Sequence, residues 1–174
     1  MTLRLYFPPK AACPAHPADP GAREGSDRPG NSVSSLGGVM KIKRLAHIGV
    51  AVKDIDEVAK VYTEFLPLNL DSVDAVGELR TGFLPVGETS IELVMSTTPE
   101  GVMAKHVEKR GEGIHHLAFE VDDVEAACAE LKAKGVPLTS DAPRPGAHGS
   151  RVLFLHPKAT RGVLIELVEM PQDH

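Results

Sequence analysis

His47, Glu92, His116 and Glu166 carry imidazole nitrogens and carboxylate oxygens that could share one divalent cation, and their spacing is that of a duplication. His47 opens the run His-Ile-Gly-Val-Ala-Val and precedes Glu92 by 45 residues; His116 opens His-Leu-Ala-Phe-Glu-Val and precedes Glu166 by 50. Both glutamates sit in the tetrapeptide Ile-Glu-Leu-Val, at 91–94 and 165–168. A lone strand histidine is ordinarily a half-buried packed residue, and a lone strand glutamate a solvated one. Four such residues at equivalent places in two copies of one unit point to metal binding instead. Nitrogen and oxygen donors without thiolate suit Co²⁺, Mn²⁺, Ni²⁺, Zn²⁺ or Fe²⁺, and ligand type does not choose among them. In an octahedral sphere four protein ligands leave two positions for a substrate that binds through two oxygens.

The elements that must position these residues repeat at an offset of 69. From His47 the chain reads as a strand, then as a helix with Ile55, Val58, Ala59, Val61, Tyr62 and Phe65 at helical spacing. From His116 it reads as a strand, then as a helix with Val124, Ala127, Cys128 and Leu131. Asp54 and Asp123 are the expected N-caps, because a short carboxylate there accepts from the free amides of the first turn. Pro67 closes the first helix, and Gly135 with Pro137 the second. Short strands are predicted over 68–73, 79–86 and 89–95, and again over 137–139, 151–156 and 162–168. A helix over 99–110 joins the halves. The order is βαβββ twice, and two units are too few for a solenoid or propeller. Alternation along a strand puts His47, Gly49 and Ala51 on the face opposite Ile48, Val50 and Val52. His116, Glu92 and Glu166 likewise oppose their bulky neighbours. The apolar face takes the helices, and the four candidate ligands share the other, which two modules side by side could curl into a cup. The expected class is therefore α+β, a cupped mixed sheet with helices outside.

Composition excludes several other functions. The chain has 174 residues, 42% of them hydrophobic, and a net charge of −5, so neither a nucleic-acid nor a membrane-surface partner is the first reading. No apolar stretch is long enough to span a bilayer. Cys13 and Cys128 sit in unlike contexts and read as reduced thiols of a cytoplasmic protein. Residues 1–39 hold six Pro, five Gly and four Ser without apolar periodicity. They are expected to be a disordered extension with no secretory leader. The folded domain is expected over 40–171, with module one at 42–97, the linker helix at 99–110 and module two at 113–169. Met40, just before the first strand, is the expected natural start.

Among the remaining polar residues, His115 has the parity opposite to His116 and is expected to pack toward the helix side. His106, His148 and His156 fall in loops or the linker helix. Lys158 and Arg161 could neutralise a phosphate or carboxylate, although a solvated surface role is the simpler reading. Cys128 belongs to the apolar stripe of its helix and is expected in the core.

Four segments carry a resemblance to a known family. They are Ala46-His47-Ile48-Gly49-Val50-Ala51-Val52, the run from Gly111 to Phe119, Arg144-Pro145-Gly146-Ala147, and His156-Pro157-Lys158 with Gly162-Val163-Leu164-Ile165-Glu166-Leu167. From about 41 to 169 the chain resembles the vicinal oxygen chelate superfamily, and the last two segments resemble its methylmalonyl-CoA epimerase branch. The resemblance implies a paired βαβββ cup, a divalent metal on His47, Glu92, His116 and Glu166, an acyl-CoA substrate and a homodimer. Many members of the branch have Gln at the Glu92 position. It implies epimerisation at C2 of the substrate, with the metal stabilising an enolate and proton donors or acceptors on both faces of the carbon. Glu166 is the implied group for one face. For the other, the family's glutamate aligns with Thr81, and nearby Glu78, although of opposite parity, is the candidate catalytic residue in its place.

Two other functions fit the same frame. A glyoxalase I type lactoylglutathione lyase uses two His and two Glu in the same way. A metal-free small-molecule binding protein of this fold would not need the ligands, so the intact quartet argues against it.

Overall fold

The computed structural model describes residues 40–171. The proline- and glycine-rich segment 1–39 and its expected disorder lie outside the described residues. Eight strands form one mixed sheet in the order β2-β3-β4-β1-β5-β8-β7-β6. They are β1 (Ile42–Ala51), β2 (Ser72–Val76), β3 (Leu79–Val86), β4 (Thr89–Ser96), β5 (Gly113–Val121), β6 (Arg144–Pro145), β7 (Arg151–Leu155) and β8 (Leu164–Glu169). The helices are α1 (Ile55–Phe65), α2 (Val102–Arg110) and α3 (Val124–Ala133). The class is α+β, and the sheet curls into a nearly closed cup.

The centre of the sheet is the antiparallel pair β1–β5, where His47 faces Ala118, Ile48 faces Leu117 and Gly49 faces His116. At the offset of 69 these three pairs exchange with one another, so a local twofold axis runs through the Ile48–Leu117 pair. On either side a parallel strand completes the module, with Glu92 beside Gly49 and Glu166 beside Ala118. Each glutamate thus lies diagonally next to the histidine of its own module, on the same face.

The helices form where the caps and stripes require. Asp54 Oδ1 accepts from the Glu57 amide at 2.9 Å, and Asp123 Oδ1 from the Ala126 amide at 2.8 Å. Under α1, Ile55 and Ala59 pack with Val52, Leu84 and Leu93; under α3, Val124, Ala127, Cys128 and Leu131 pack with Val121, Leu153 and Leu167. The expected α1 stripe is too wide, because Val61 and Phe65 are 49% and 76% exposed and lie outside the arc that reaches the sheet. Helix α2 does more than link. Met103 and Val107 pack on Ala51 and Val94, which share the parity of His47 and Glu92, so α2 lies against the concave side of the sheet.

Two predicted strands are displaced. The run from Leu68 supplies core rather than strand: Leu68 and Leu70 pack against the α1 cluster from a loop, and pairing begins only at Ser72. Around 137–139 the structure has a single bridge, Leu138 to Leu155, and the sheet edge is completed instead by Arg144–Pro145. Proline is tolerated at an edge because its missing amide faces no further strand.

Leu93 is fully buried between α1 and the sheet. Leu93→Ala is expected to cost about 2–5 kcal/mol of unfolding free energy, read as a lower urea midpoint with an unchanged slope.

Candidate functional site

The register of the central strands brings the four candidate ligands to one point. His47 Nε2 and His116 Nε2 lie 3.2 Å apart across the twofold axis. Glu92 Oε2 is 3.3 Å from His47 Nε2 and 3.4 Å from His116 Nε2, and Glu166 Oε2 is 3.4 Å and 2.9 Å from the same atoms. None of the four residues is more than 9% exposed. His47, His116 and Glu166 form the tightest group, with ligand atoms within 4.8 Å of one another, and Glu92 adjoins both imidazoles. Two ligands about 2.1 Å from one ion and at a right angle sit about 3 Å apart, which is the spacing found here. The donor set fits a divalent cation.

Electrostatics gives the same result. Burial pushes the His116 imidazole down, but hydrogen bonds to Glu166 and Glu92, with their charges, outweigh it and raise it from 6.5 to about 9. Burial pushes the Glu166 carboxyl up, but hydrogen bonds from His116 and His47, with their charges, bring it down to about 2. Four Lewis bases held this closely favour any shared positive charge, whether a proton or a metal ion.

Gly49 makes this convergence possible. A Cβ at position 49 would stand 2.0 Å from His116 Cε1, well inside contact distance, so only a residue without a side chain leaves room for the imidazole. Gly49 faces His116 directly in the β1–β5 ladder. In this pair the strand backbone itself forms the wall of the site.

His115 does not follow its expected parity. Gly49 pairs with His116 and Val50 with Ile114, so His115 is the extra residue of a β-bulge. Its Nδ1 lies 3.0 Å from His116 Nδ1, and its ring meets His106 of α2 edge-on at 4.6 Å. Burial and then the charges of His116 and His106 push the His115 imidazole down to about 4, so it is neutral and can accept from His116 Nδ1–H. Such a partner fixes the tautomer that leaves Nε2 free for a metal. Alternation along the strand could not show this, because a bulge breaks it.

A cavity of about 660 Å³ opens beside the cluster, lined by Glu92, His116, Glu166, Thr81, Glu78 and Arg144 among others. Glu78 is exposed, and its Oε1 accepts from the Val102 amide at 3.1 Å, at the start of α2. Thr81 is buried with its hydroxyl unpartnered. Arg144 lies over the Phe154 ring, 5.1 Å from its centroid. Lys158 and Arg161 are exposed and outside this lining, and Cys128 is buried under α3 as expected.

Residues 46–154 match the model of the Glyoxalase/Bleomycin resistance protein/Dioxygenase superfamily. The mitochondrial methylmalonyl-CoA epimerase of Mus musculus is 34% identical over 132 residues, 74% of each chain. The ethylmalonyl-CoA/methylmalonyl-CoA epimerase of Cereibacter sphaeroides is 36% identical over 133 residues, 74% of this chain and 99% of the relative. The chain belongs to the methylmalonyl-CoA epimerase family. A solved structure of that family, from Streptomyces coelicolor in complex with 2-nitronate-propionyl-CoA, superposes with a TM-score of 0.71 at 34% identity, covering 75% of this chain and 96% of that one. Among the described residues no helix is long and apolar enough to cross a membrane.

Two outcomes are expected of this site. Gly49→Ala should displace the His116 ring and cut bound divalent ion by about tenfold or more, measured by elemental analysis after dialysis, with the far-ultraviolet circular dichroism unchanged. In chelator-treated protein, protonated His116 stabilises the fold fully below pH 6.5, and that stability is lost as pH rises through about 9. Urea unfolding across that range should show the decline, and added divalent ion should reverse it, because metal binds the deprotonated imidazole.

Proposed function

We propose that this chain interconverts the (2R) and (2S) epimers of methylmalonyl-CoA by removing the C2 proton and returning one to the opposite face. The observation that supports the reading is the convergence of His47, Glu92, His116 and Glu166, three of which (Glu92, His116 and Glu166) line a cavity wide enough for an acyl group, in a chain of this family. Those four residues would hold a divalent ion, which supplies Lewis acidity to the thioester and carboxylate oxygens of the substrate and so acidifies C2.

The chain's own residues account for the rest. The apolar lining, including Val94, Val152, Phe154 and Leu164, excludes water from the reacting carbon, which strengthens every charge interaction there. Glu166 is ionised at neutral pH and opens onto the cavity, so it takes the proton on one face. The hydrogen bonds that weaken it as a base come from His116 and His47, and neither would persist with both Nε2 atoms turned to a divalent ion. Glu92 has the same imidazole partners and would serve only to hold the ion. Glu78, the expected carboxylate for the second face, is engaged with the Val102 amide, which gives it a capping role first.

Purified protein incubated with methylmalonyl-CoA in D₂O is expected to incorporate deuterium at C2, and chelator is expected to abolish it. No exchange at stoichiometric enzyme would end this reading. Glu166→Gln should lose about 10²–10⁴-fold in turnover while keeping its metal, whereas Glu92→Gln should lose mainly metal affinity and recover with added ion. Equal loss of metal and turnover in both variants contradicts that division.

A further inference from the structure

Three buried side-chain oxygens among the described residues have no hydrogen-bond partner, namely Ser72 Oγ, Asp74 Oδ2 and Thr81 Oγ1. They are neighbours. Ser72 and Asp74 alternate along β2 on its less exposed face, and Asp74 is the cross-strand partner of Thr81 on β3. A buried hydroxyl left unpaired loses its hydration without compensation, so Thr81, only 4% exposed, is expected to gain a partner when the site is filled. Its place in the lining of the 660 Å³ cavity, with Glu92 and Glu166, says where that partner comes from.

Behind Thr81 the polar path continues outward. Asp74 Oδ2 is 2.9 Å from His148 Nδ1, within ion-pair distance but without an aligned hydrogen bond. The His148 side chain is 39% exposed, and its ring rests on Phe83 at 4.5 Å. His148 also has φ 53°, a left-handed conformation that a non-glycine residue adopts at a cost. Placing that ring beside Asp74 is what the strained backbone achieves.

Sheet order bears on the direction of attack. Thr81 stands on β3 and Glu166 on β8, separated in the sheet by β4, β1 and β5, and both line one cavity because the sheet curls. A planar carbon between them has one on each side.

We infer that Thr81 is the proton carrier that meets the second face of the substrate carbon, directly or through one water, and that Asp74 and His148 behind it become its relay to solvent once a bound substrate draws the three groups into alignment. The inference rests on the epimerase reading. In one direction Glu166 takes the C2 proton, and the electron pair of that C–H bond passes into the enolate. On the other face the Thr81 hydroxyl gives its proton to C2, where the pair forms the new C–H bond, and regains one along Asp74 and His148 from solvent. Glu166 releases its proton to solvent, so no net proton is consumed, and the reverse reaction runs the same steps backwards. Asp74 and His148 act through Thr81 and are positioning residues.

The test is deuterium incorporation and chiral analysis in D₂O, starting from each epimer separately. Thr81→Val keeps the shape and removes an unpaired hydroxyl, so its urea midpoint should match or exceed that of the parent chain. It is expected to lose about 10²-fold in interconversion while one epimer still exchanges its C2 proton, with retention, within about threefold of the parent rate. Thr81→Ser should restore interconversion. His148→Gly relieves the left-handed strain and should raise the melting temperature while slowing the same face. Interconversion unaffected in Thr81→Val, or equal loss of exchange from both epimers in Thr81→Val and Thr81→Ser alike, overturns the relay. Absence of exchange from either epimer in the parent chain would refute the epimerase reading instead.

Discussion

The backbone contact between Gly49 and the His116 imidazole is the constraint on which the site depends. An antiparallel pair normally sets two side chains opposite each other, and here one of the two is missing, so that the other can lie across the strand. His47 has the symmetric arrangement with Ala118. Small residues at 49 and 118 let two imidazoles from different modules meet at 3.2 Å over the centre of the sheet. With those positions filled, each histidine would stay on its own strand, and no register of β4 or β8 could give four ligands a common centre.

The centre follows from the duplication because strand pairing converts sequence offset into symmetry. At an offset of 69 the β1–β5 ladder maps onto itself, and the two histidines become equivalent by geometry as well as by sequence. Between the histidines and the glutamates the offset grows from 69 to 74, and the five extra residues lie between α3 and β8. The pairing of β4 with β1 and of β8 with β5 absorbs the change, since each glutamate is positioned by its neighbouring strand and not by the loop before it.

What could be read from the residues was whatever obeys a fixed period. Alternation placed His47, Glu92, His116 and Glu166 on one face, and helical spacing with Asp54 and Asp123 placed α1 and α3. Features that depend on a local break in period were invisible. The bulge at His115 turns that side chain toward His116, and no composition cue marks it. Leu68 and Leu70 look like strand residues because a core-filling loop needs the same apolar side chains. The packing of α2 on the concave side was hidden as well, since Met103 and Val107 read as a short amphipathic stripe whatever they pack against. The pairing of Asp74 with His148 joins residues 74 apart in the chain, from opposite edges of the sheet, and only closure of the cup brings them together.

That closure is also where the two modules stop being equivalent. The turn at Ala147–Gly149 belongs to module two and reaches β2 of module one, while module one has only the tight turn around Gly77 between β2 and β3. A perfectly symmetric cup would present identical walls to its ligand. Interchanging two epimers does not require identical walls, because the two faces of a planar carbon need only one proton carrier each, and the carriers can differ in kind. The duplication therefore accounts for the convergence of His47, Glu92, His116 and Glu166, and the extra residues of module two account for the difference between the sides of the cup: a carboxylate on β8, and on β3 a hydroxyl whose cross-strand neighbour Asp74 meets His148 at the far edge.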